Sequence, residues 1–173
     1  MIKAEELKAQ NISEYIIHMY KSEDLVRTFE FDLTKITDYL IANIPVSASE
    51  KKEQILWYAS LIENMQKEKI HTKGHLDELN QLVLELTALH ENLLKKDETY
   101  KKLAFEAMPF IEKQIETSDY TITNPIVVCL NGIYGFLLLK INSKAVTDIQ
   151  QEMLNAFGGI LSYLSFSYKK DKK

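Results

Sequence analysis

Arginine occurs once in this 173-residue chain, at Arg27, and cysteine once, at Cys129. Readers of duplex nucleic acid neutralise phosphates with a concentrated basic face and favour arginine for bidentate base contacts. A chain of formal charge −4 with a single guanidinium is not of that class. The densest run of basic residues is at the end: residues 169–173 hold four lysines and one aspartate, leaving −7 on the first 168. That body would repel a phosphate backbone or an anionic membrane, so no nucleic-acid partner is expected. The tail suits the negative pole of a last helix. The lone Cys129, set among apolar residues, has no disulfide partner and is expected to be a buried, inert thiol in a reducing cytoplasm.

Glycine (5) and proline (3) are scarce as well. There is no low-complexity tract, no interdomain linker, and no glycine-rich turn of the kind that cradles phosphates or dinucleotides. A Gly-x-Ser-x-Gly elbow is also missing. The N-terminus, Met-Ile-Lys-Ala-Glu-Glu, lacks the positive-then-apolar order of a signal peptide, and export is not expected. No membrane span is expected either: the most apolar stretch, between Pro125 and Lys140, is interrupted by Asn131 and falls short of the roughly 20 residues a bilayer needs.

What is present is 46% apolar and 27% charged residues, the composition of one soluble domain. At this length a chain can bury about 70% of its unfolded surface without a disulfide or metal staple. The apolar residues recur at helical spacing. Asn11 with Glu14, Ser47 with Glu50 and Thr147 with Gln150 have the spacing of capping boxes, Asp32 can cap a shorter helix, and Asp97 or Thr99 a further one. Ile12, Tyr15, Met19, Ser22, Val26 and Phe29 form one stripe; Leu76, Leu79, Val83, Leu86, His90 and Leu93 form another. Between Asp32 and Pro45 the core-facing set reads Ile36, Tyr39, Leu40 and Ile44. Pro109 is expected to kink or break its helix. Asn131-Gly132 is a strong hairpin signal, but its flanks are continuous apolar runs and Asn124-Pro125 is good chemistry for a helix start. Helix is favoured there. Being apolar nearly all round, it would lie in the middle of the domain, with Gly132 and Gly135 admitting a close neighbour and a crossing with that helix excusing Gly158-Gly159.

Few residues suggest chemistry. Glu23 and Asp24 lie four and three positions before Arg27, so the three can share a helix face, either as an exposed pair or as a cluster that fixes Arg27 for an anionic ligand. His75 is the remaining candidate member. Glu68 and His71 have the Glu-x-x-His spacing of di-iron bundles, but no second copy exists, and metal is not expected. No catalytic residue and no cofactor is assigned.

The stretches Asn11-Ile12-Ser13-Glu14-Tyr15, Glu23-Asp24-Leu25-Val26-Arg27, Gly74-His75-Leu76 and Leu130 through Leu139 give the chain a resemblance to a family of small all-helical bacterial proteins known only as a domain of unknown function. The resemblance implies a single helical domain and a helix at Asn131-Gly132; it implies no activity. The expectation is therefore an all-α bundle of six or seven mostly antiparallel helices with a central apolar helix near 125–141, one domain over 1–168 and a basic tail at 169–173. Functionally it reads as a cytoplasmic interaction module, a homodimer or the binder of another protein. The alternative is a small-molecule binder or enzyme whose pocket is organised by Arg27, Glu23 and Asp24.

Overall fold

A computed structural model describes residues 4–143 and 145–171. The described residues form eight α-helices and no strand. These are α1 (Ala4–Gln10), α2 (Ile12–Thr28), α3 (Leu33–Lys35), α4 (Ala48–Lys67), α5 (Asp77–Lys96), α6 (Glu98–Thr117), α7 (Pro125–Ile141) and α8 (Asp148–Asp171). The count exceeds the expected six or seven because α1 precedes Asn11. The Asn11 amide bonds back to the Leu7 carbonyl at 2.8 Å, so the residue that starts α2 also closes α1. Glu14 consequently finds the Asn11 side-chain amide instead of its backbone N–H. Lys169 and Lys170 lie on the last turn of α8, while Lys172 and Lys173 fall outside the described residues.

The chain divides into two compact units, His18–Asn80 and, with the preceding segment Lys3–Ile17, Gln81–Lys173. In the first, Ser47 and Glu50 close a full capping box on α4, and Asp32 accepts the Thr34 and Lys35 amides to start α3. α3 then unwinds. Residues Ile36–Leu40 form a π turn and Ile41–Asn43 a 3-10 turn before Pro45. The wider turn puts residues five apart on one side. Ile36 and Ile41 are therefore the buried pair, and Tyr39, expected inside, is exposed.

In the second unit α8 packs against both α6 and α7, and Ser13 at the start of α2 bonds Ser165 and the Leu161 carbonyl of α8. Thr147 and Gln150 cap α8 reciprocally. Asn124 accepts the Ile126 and Val127 amides with Pro125 in the first turn, which settles the 124–141 segment as helix. That helix is not central. Only Ile126, Val128, Cys129 and Leu130 are buried, and the later turns are half-buried or exposed, because its neighbours α8 and α6 leave the outer side open. Gly132 does admit a close neighbour: a Cβ there would stand 2.6 Å from the buried Phe157 ring. Gly135 and Gly158 face open space, and Gly159 meets only Leu103 at an ordinary 3.5 Å, so no close crossing explains the glycine pair. α6 continues unbroken through Pro109. The carbonyl that loses its amide belongs to Phe105, whose side chain is 82% exposed, on the side where water can replace the bond.

Candidate functional site

α4 ends with Lys69 in the left-handed region and the Ile70 amide bonded back to the Met65 carbonyl, a Schellman closure. The loop that follows reaches α5 through Gly74, whose φ of +90° favours glycine. Along this loop the backbone needs partners that a helix would have supplied. Side chains supply them. The Glu68 carboxylate accepts the Asp77 amide at 2.7 Å, and the Asn80 amide donates to the His75 carbonyl at 3.0 Å.

α2 supplies the rest. Glu23, fully buried, accepts the Leu76 amide at 2.9 Å and holds His75 Nδ1 at 2.6 Å. Arg27, four residues on, donates through Nη2 to the Ile70 carbonyl (3.4 Å) and the Gly74 carbonyl, and through Nη1 to Asp24 at 2.9 Å. The four residues singled out in the sequence thus come together as two pairs, Glu23 with His75 and Arg27 with Asp24. Both pairs bind one loop.

Tyr20 was not among the expected residues. Its ring stacks on the His75 imidazole with centroids 3.7 Å apart, and burial, reinforced by the Glu23 charge, raises its hydroxyl pKa to about 12. The signal was available in its position three residues before Glu23 and seven before Arg27, on the same helix face. Arg27 Nε is the one buried side-chain nitrogen or oxygen without a partner among the described residues.

The other histidines have separate surroundings: His18 lies against Trp57, His71 against Phe31, and His90 Nδ1 meets Tyr100 Oη at 2.6 Å. No group of three His, Cys, Asp or Glu is arranged to hold a metal ion among the described residues. Cys129 is buried, and burial pushes its thiol pKa up to about 12. Two shallow clefts lie along α6, within the Gln81–Lys173 unit. One is lined by Leu103, Glu106, Phe110, Glu152, Asn155 and Ala156, the other by Glu98, Lys101, Lys102, Phe105 and Glu106. No helix among the described residues is long and apolar enough to cross a membrane.

Fold and cluster together define an all-helical protein whose best-organised polar groups serve its own backbone. The chain belongs to the family described as Domain of unknown function (DUF4924), which it matches over residues 1–173. No curated protein and no solved structure matches it.

Proposed function

We propose that the protein is a non-catalytic helical interaction module that self-associates in the cytoplasm. The observation that supports this reading is that four large apolar side chains of the Gln81–Lys173 unit, Phe105, Ile141, Ile149 and Phe166, each stand more than half exposed. On α6, Phe105 and the exposed Met108 lie on the same side of the helix, the kind of apolar pairing that a protein contact covers. The acidic body argues against nucleic acid, and the lone buried thiol fits a reducing compartment. Light scattering across a concentration series tests the reading: a particle of twice the 20.1 kDa chain mass is expected, and a monomer at every concentration refutes it.

A small-molecule site organised by Arg27, Glu23 and Asp24 has one observation in its favour, the buried unpartnered Nε of Arg27. Against it, Nη1, Nη2 and both Glu23 oxygens each already bond within the chain. Native mass spectrometry that retains a stoichiometric ligand would favour this second reading.

A further inference from the structure

The inner face of α6 is made by Tyr100, Ala104, Ala107 and Ile111, all buried. Each is followed by a residue turned about 100° outward, giving the row Lys101, Phe105, Met108 and Glu112 at steps of four, three and four. This is the spacing of a coiled-coil seam, laid along the open side of a helix. Phe105 is 82% and Met108 39% exposed, and Glu112 is exposed.

The order of the four residues selects the occupant. Read against itself in the antiparallel sense, the row sets Phe105 against Met108 at its centre and Lys101 against Glu112 at both ends. In the parallel sense the same row sets lysine on lysine and glutamate on glutamate. An acidic or a basic partner would satisfy one end and be repelled at the other.

Resting on the self-association read above, we infer that the occupant is a second copy of this chain, with α6 pairing antiparallel to α6 about a two-fold axis between residues 106 and 107. Lys101 bonds Glu98 within its own helix. Its ammonium has donors left for Glu112 of the second copy. The cleft beside Phe105, lined by Glu98, Lys101, Lys102 and Glu106, lies where the second copy's Met108 would enter.

Sedimentation equilibrium on the full chain tests this. Lys101→Glu and Glu112→Lys, each placing like charges at both ends, should each weaken the dimer by about tenfold. Combined in one chain they exchange the charges and should restore it to near the unsubstituted value. Phe105→Glu, at an exposed position, should give a folded monomer, with unchanged circular dichroism confirming the fold. A dimer indifferent to Phe105→Glu, or a double variant no stronger than the singles, overturns the α6 pairing while leaving self-association standing. An unsubstituted chain that is monomeric throughout, or that holds a different protein on α6, overturns the pairing as well, and the former removes self-association with it.

Discussion

Replacing Gly132 by alanine pits backbone entropy against packing. In the middle of a helix, alanine gains about 1 kcal/mol over glycine. At this position the new methyl would lie 2.6 and 2.7 Å from two ring atoms of Phe157, which is fully buried. The ring cannot swing into solvent, so α7 and α8 must separate or Phe157 must leave its rotamer. Overpacking of this kind costs about 1–3 kcal/mol, and a contact this short with a ring atom belongs at the upper end. The packing cost therefore exceeds the propensity gain, and Gly132→Ala is expected to destabilise by about 1–2 kcal/mol net. Gly158→Ala is the internal control. It lies inside α8 with nothing within 4 Å of the added carbon, so the propensity gain stands alone and the protein should be stabilised by up to about 1 kcal/mol. Urea denaturation at constant slope reads both as shifts in midpoint. Gly132→Ala as stable as the unsubstituted chain would refute the claim that α7 and α8 meet through this glycine.

Glu23→Ala removes the acceptor for the Leu76 amide and the partner of His75, and should destabilise by about 1–3 kcal/mol, with faster proteolytic cleavage between Glu68 and Leu76; unchanged cleavage would show that the loop stands without it. Cys129 should resist a thiol reagent at pH 8 in the folded protein and react on unfolding; rapid labelling of the native state would contradict its burial. Because burial raises the Cys129 thiol and the Tyr20 hydroxyl to about 12, their contribution is complete below the unfolded values near 9 and 10, and stability should fall as pH climbs above those values. His90 works in the opposite direction. Its pKa is lowered by burial, with Glu91 opposing weakly, so unfolding takes up a proton and stability should fall as pH drops through 6.5; His90→Gln should flatten that part of the profile.

The helix starts were legible in the sequence because capping is local chemistry: Ser47, Asp32, Asp97 and Asn124 each accept amides two or three residues ahead. The α5 stripe from Leu76 to Leu93 was legible for a similar reason, since regular spacing repeats one burial pattern. Glu23, Asp24 and Arg27 could be grouped by spacing on one helix. That Arg27 spends two bonds on the carbonyls of Ile70 and Gly74 could not be read, because backbone groups some forty residues away leave no mark in composition. The exposure of α7 was hidden for another reason. An apolar helix signals that burial is favourable, but how many neighbours cover it is decided by the packing of α6 and α8.

Between Ile36 and Leu40 the chain carries a residue more than a regular turn would hold. Alignments made by eye would treat this stretch as a tolerant connector, and excising Asp38, an exposed side chain, would look innocuous. The buried pair would tolerate it: closing the π turn to an α turn sets Ile36 and Ile41 four apart, the spacing a regular helix keeps on one face. A second added residue is what the stretch could not absorb, since the π turn already takes up one and a further one would carry Ile41 off the buried face by about 100°.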